Sequence, residues 1–183
     1  MRIHELIYFS PSLKMEEIDL KNKQQVLEYF PERVYEYYLK PTTLLVENKM
    51  AFAAGALECI LIDALARYSY SENSVGTRIS LWCQNNLGVS EQTAISFYQF
   101  FRCGLLHEGH IKQFGQFCFD DWIIAQPLIE LQDFIVVNPK YLLDSINVFF
   151  NAFIAKLSSD DMLYALFIRR LIEDFEIDIN KSK

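Results

Sequence analysis

Only three histidines occur in the chain, and one of them closes the segment Phe101-Arg102-Cys103-Gly104-Leu105-Leu106-His107-Glu108-Gly109, five positions after an arginine. These two residue types together suit proton transfer beside a developing negative charge. An imidazole takes up and gives back a proton near neutral pH, and a guanidinium brings a fixed positive charge to a crowded phosphate. Neither a metal nor an organic cofactor is required, and none is expected. The competing interpretation is structural: two cations at a helix C-terminus complement its dipole.

Geometry limits the first interpretation. Five residues along an unbroken α-helix turn through about 140° beyond a full circle, so Arg102 and His107 would not share a face. Either Gly104 loosens the last turn, or a two-fold related copy brings the second member of each pair into one cleft. The second route makes a homodimer part of the site. Further along, His110 and Lys112 offer either a local RNA contact or an ordinary solvated turn. Tyr35, Tyr37, Tyr38, Phe97, Tyr98, Phe100 and Phe101 lie at helical spacing and are expected to pack in the core or a dimer contact rather than stack on bases.

These residues need elements to position them. With 183 residues and 51% apolar content, the chain is long and apolar enough for one domain with a full core. The first 42 residues are expected to form an N-terminal arm or cap, with short helical patterns broken at Pro11, Pro31 and Pro41. The helical body, residues 43–175, begins with a nearly all-apolar helix from Thr43 to about Tyr70. A shorter helix follows around Arg78 to Asn85. Another opens at Ser90, whose hydroxyl can cap it, and runs toward His107. Residues 115–137 read as a β-hairpin or three-stranded insertion because of the run Phe134-Ile135-Val136-Val137. Asn138-Pro139 starts another helix, and Ser158, Asp160 and Asp161 cap a last one. The acidic stretch from Glu173 to Asp178 is expected to be a solvated helix end, and the polar tail from Asn180 to be loose. The predicted fold is mainly α: an up-and-down bundle of four to five principal helices with a small strand insertion after the motif helix.

Arg-x4-His at the end of a bundle helix, here in the form Arg-x-Gly-Leu-x-His, resembles the signature of the HEPN superfamily, whose catalytic members carry Arg-x4-6-His. The long preceding helix offers Asp63-x3-Arg67, similar to the acidic-x3-basic pair often found in the second helix of that superfamily. The resemblance covers roughly residues 43 to 175. It implies a metal-independent endoribonuclease of a toxin or phage-defence system, acting as a homodimer on single-stranded RNA and leaving 2′,3′-cyclic phosphate ends. Arg102 and His107 would be catalytic, and Asp63, Arg67, Cys103 and Glu108 supporting; a cognate inhibitor protein is a further implied partner. Cys103 stands where active members usually carry Asn, Asp or His. Glu108-Gly109 after the histidine leaves out the tyrosine that a modifying antitoxin would target. The alternative is a catalytically silent HEPN-like dimerisation or regulatory scaffold. Without the resemblance, Asp63 and Arg67, four apart, read as an intrahelical ion pair.

A formal net charge of −7 excludes a protein that grips nucleic acid over its whole surface, so any RNA contact is local. Cys59, Cys83, Cys103 and Cys118 are widely spaced without a CxxC pair, which suits reduced, partly buried thiols rather than a metal site or disulfides. No uncharged run has the length of a membrane span, and Glu5 comes too early for a signal peptide. The expected location is the cytoplasm.

Overall fold

The structure, a computed structural model, describes residues 2–3, 6–132 and 134–182. Three short strands come first, β1 (Arg2–Ile3), β2 (Leu6–Ser10) and β3 (Leu13–Lys14), paired antiparallel in the order β1-β2-β3. Pro11 lies in the turn between β2 and β3. The first part of the expected N-terminal arm, up to Lys14, is therefore a strand meander, and its helical part begins only at Lys23.

Pro31 and Pro41 do not break the helix that follows. α1 (Lys23–Val34), a π-helical stretch π1 (Tyr35–Leu39) and α2 (Lys40–Glu47) run on without interruption, with Pro31 inside α1 and Pro41 at the start of α2. In π winding the backbone bonds reach five residues back, as Lys40 N–H does to the Tyr35 carbonyl. Pro41 thus loses its donor where the α register is already interrupted.

The apolar run expected from Thr43 to Tyr70 is two helices. α2 stops at Glu47, Lys49 takes φ +56°, and α3 (Ala51–Ser69) begins after Met50. α3 occupies the middle of the molecule, against α2, α4 (Val75–Leu87), α6 (Pro139–Ser159), α7 (Asp161–Ser182) and the motif helix. Its Ile62, Leu65 and Ala66 are fully buried. Beside them, the rings of Phe30, Tyr68 and Phe167 meet edge to face at 4.8 to 5.6 Å.

Helix starts follow their caps. Ser74, Ser90 and Asn138 each accept a backbone N–H in the first turn of α4, α5 (Glu91–Phe97) and α6. The last helix is capped by Asp160, whose carboxylate accepts from Leu163 N–H, while Ser158 still belongs to α6. α7 extends to Ser182, past the point where a loose tail was expected. Between the motif and α6 lies the strand insertion, with β4 (Gly115–Phe117), β5 (Leu128–Leu131) and β6 (Phe134–Val137) in the order β4-β6-β5; β4 is parallel and β5 antiparallel to the central β6. The fold is mainly helical with small sheets. No helix among the described residues is long and apolar enough to cross a membrane.

Candidate functional site

α5 continues without a break into a second π-helical stretch, π2 (Tyr98–Glu108), which carries the whole motif. Because each turn of a π-helix spans an i to i+5 bond, residues five apart return to nearly the same side. That winding, within one chain, resolves the geometric problem posed by the spacing. Arg102 Nη1 and His107 Nε2 are 2.6 Å apart. A partner copy is not needed to bring the two together.

Gly104 has a different part from the one expected of it. A Cβ at this position would stand 2.4 Å from the His110 carbonyl oxygen and 3.1 Å from Lys112 N. Its bare Cα admits the returning chain, which is tied by His110 N–H to the Gly104 carbonyl and by Lys112 N–H to the Phe100 carbonyl. Gly109, at φ +71°, supplies the left-handed turn that ends the helix.

Arg102 is held from the other side by α3. Its Nε and Nη2 donate to Asp63 Oδ2 at 3.1 and 2.6 Å. The two side chains are 14% and 21% exposed, so the ion pair is partly buried. Burial works against the Arg102 charge, but the hydrogen bonds and charge of Asp63 outweigh it and raise the arginine pKa above its ordinary value. Tyr98 closes another side, its ring centroid 5.9 Å from the Arg102 guanidinium carbon, packed where Gly76 has no side chain to obstruct it. Beneath, Phe97 and Phe101 stack at 5.5 Å, and Phe101 meets Phe117 of β4 at 5.2 Å. These are core contacts, whereas Tyr35 is exposed.

Arginine has only donors, so His107 Nε2 is the acceptor and the imidazole proton sits on Nδ1. His107 is exposed, whereas Arg102 is half-buried. Of the five guanidinium N–H bonds, Asp63 and His107 engage three, which leaves one on Nη1 and one on Nη2 for a ligand oxygen.

The other candidate residues divide. Arg67 lies one turn beyond Asp63 but turns to α7, its Nε donating to Asp174 Oδ1 at 2.9 Å and its Nη2 to Glu173 Oε2 at 3.2 Å. It is outside the Arg102 cluster and makes no intrahelical pair with Asp63; the Asp174 hydrogen bond, against some burial, raises its pKa. Glu173 and Asp174 are accordingly a docking contact rather than merely a solvated helix end. Cys103, half-buried, contacts Tyr98 five residues earlier; that contact first, then burial, raises the phenol pKa. Glu108 forms an ion pair with Lys112 instead of approaching Arg102, and this hydrogen bond lowers its carboxyl pKa. His110 is exposed.

Tyr98 is the site residue that the sequence placed only among packing aromatics. Its position four before Arg102 was the available signal. No family model matches the sequence, and no curated protein and no solved structure matches it either.

Proposed function

We propose that this protein is a metal-independent endoribonuclease of HEPN type, belonging to a toxin or phage-defence system in the cytoplasm, with Arg102 and His107 as its catalytic residues. The observation that carries this reading is the 2.6 Å contact between Arg102 Nη1 and an exposed His107 Nε2, with Asp63 anchoring the arginine from behind.

In this reading His107 Nε2, already free of a proton, accepts the one leaving a ribose 2′-hydroxyl, and the oxygen attacks the adjoining phosphorus. The two unused N–H bonds of Arg102 meet the non-bridging phosphate oxygens as negative charge builds on them. The protonated imidazole then returns a proton to the departing 5′-oxygen, which leaves a 2′,3′-cyclic phosphate. Substrate entry requires His107 to exchange its Arg102 hydrogen bond for one to the 2′-hydroxyl. Asp63 keeps the guanidinium in place while this happens. Single-stranded RNA is the substrate class, a second copy of the chain and a cognate inhibitor protein are its proposed partners, and Cys103 supports the site through Tyr98. Glu108 and Arg67 have only indirect parts, fixing the returning turn and α7.

One observation favours the silent-scaffold alternative: Arg102 is already neutralised by Asp63 in a protein of net charge −7. The two readings separate in one assay, cleavage of mixed single-stranded RNA in EDTA by the wild type, Arg102→Ala and His107→Ala. The nuclease reading expects cyclic-phosphate ends from the wild type alone. No cleavage by folded wild type, or equal cleavage by all three, would sink it.

A further inference from the structure

Eleven residues of unbroken π winding is long for a geometry found mostly as single-turn bulges inside α-helices. Two side-chain pairs depend on it, Arg102 with His107 and Tyr98 with Cys103, each five apart. The preceding α5 is wound four back, as the bond from Tyr98 N–H to the Ala94 carbonyl shows, so both windings meet within one helix. In α winding the residue one turn after Arg102 is Leu106, and His107 stands about 140° round the axis. Because Asp63 of α3 fixes Arg102, a change of winding would carry His107 away from it.

The chain that follows the motif grips this stretch at two points. At the end, the Gly104 carbonyl accepts the N–H of Gly109, five on, and that of His110, six on. In α winding the same carbonyl would accept from Glu108, four on, in competition with both. Nearer the middle, the Phe100 carbonyl accepts from Lys112 N–H, and the bare Cα of Gly104 leaves room for the segment to lie there. Solvent reaches this segment from outside, since Gly109, His110, Gln113 and Phe114 are all exposed.

We propose that residues 109–114 are a regulatory handle for the site: docked, they hold π2 in the winding that joins Arg102 to His107, and drawn away, they let it rewind as α-helix and part the two. As regulation, the inference rests on the ribonuclease reading. The winding does not, and it is read without RNA.

Nitrogen-15 spectroscopy of the His107 imidazole tests it, with circular dichroism to confirm that each variant is folded. Lys112→Pro deletes the N–H that bonds the Phe100 carbonyl, and Gly104→Ala places a Cβ against the His110 carbonyl; either one, folded, decides. Each is expected to move the Nε2 resonance to its position in Arg102→Ala and, if the ribonuclease reading holds, to lower cleavage roughly 100-fold. Lys112→Ala loses the ion pair with Glu108 but keeps the backbone N–H, and is expected to move the resonance less than half as far. A folded Lys112→Pro or Gly104→Ala with Nε2 at its wild-type position would overturn the proposal, as would a Lys112→Ala shift as large as that of Lys112→Pro. A resonance that moves while cleavage persists would uphold the rewinding and count against the ribonuclease reading.

Discussion

Replacing Asp63 by alanine removes both hydrogen bonds that hold Arg102 from the α3 side and leaves a guanidinium that is 14% exposed with His107 as its remaining hydrogen-bond partner. Breaking a fully buried ion pair costs about 3–5 kcal/mol, whereas an exposed one is worth about 0–1 kcal/mol. With side-chain exposures of 14% and 21%, this pair falls between those limits, and about 2 kcal/mol is the expected loss. For a chain of this size that lowers Tm by roughly 4–8 °C. Asp63→Asn keeps an acceptor but not the charge and should lose about half as much. Arg67→Ala is the control, because its partners Asp174 and Glu173 are 31% and 44% exposed and about 1 kcal/mol is expected. If the ribonuclease reading holds, misplacing Arg102 also lowers cleavage by roughly 100-fold in Asp63→Ala, while Arg67→Ala leaves it unchanged. Differential scanning calorimetry beside the RNA assay supplies both numbers. An Asp63→Ala protein that melts with the wild type, or that loses no more than Arg67→Ala, would refute the reasoning.

Two further substitutions test neighbouring features. Glu58 on α3 is 1% exposed, neither carboxylate oxygen has a hydrogen-bond partner, and burial pushes its carboxyl well above the usual carboxylate range. The folded protein therefore holds this proton where the unfolded chain has released it. The sign follows: stability from this group is greatest below the unfolded value near ~4.3 and falls as pH rises toward the folded one. Glu58→Leu should gain about 1–3 kcal/mol at pH 7 and less at pH 4 in urea unfolding; an equal change at both pH values would contradict the assignment. Gly104→Ala forces a Cβ to within 2.4 Å of the His110 carbonyl, so about 1–3 kcal/mol of stability should be lost. Amide exchange should also quicken at Lys112, whose N–H bonds back to Phe100, and unchanged protection there would count against the packed turn.

Much of the framework was legible because it depends on local chemistry. The cap at Ser90, the Asn138-Pro139 start and the β-rich run before it need only their own side chains, and each element forms where those side chains direct it. Winding is different. Tyr98 to Glu108 bonds five residues back, with the returning chain at His110 and Lys112 and α3 packed against it, and nothing in the local sequence marks that winding, so the spacing of Arg102 and His107 looked like an obstacle. Asp63 was singled out together with Arg67, but its partner Arg102 lies 39 residues away and Arg67 finds its own 107 residues away on α7. Such distant pairings leave no periodic signal. Pro31 and Pro41 misled because the helix runs on through them. Pro41 is tolerated because π1 precedes it, and the helix break falls instead at Lys49, where no glycine or proline marks it.

The account turns on Arg102 donating to His107 Nε2 within a single chain. Nitrogen-15 spectroscopy of the His107 imidazole reads this most directly. The predicted result is a proton on Nδ1 and an unprotonated, hydrogen-bonded Nε2 in wild-type protein diluted to monomer, with the Nε2 resonance shifting in Arg102→Ala. A proton on Nε2, or an Nε2 resonance unmoved by removing Arg102, would contradict it.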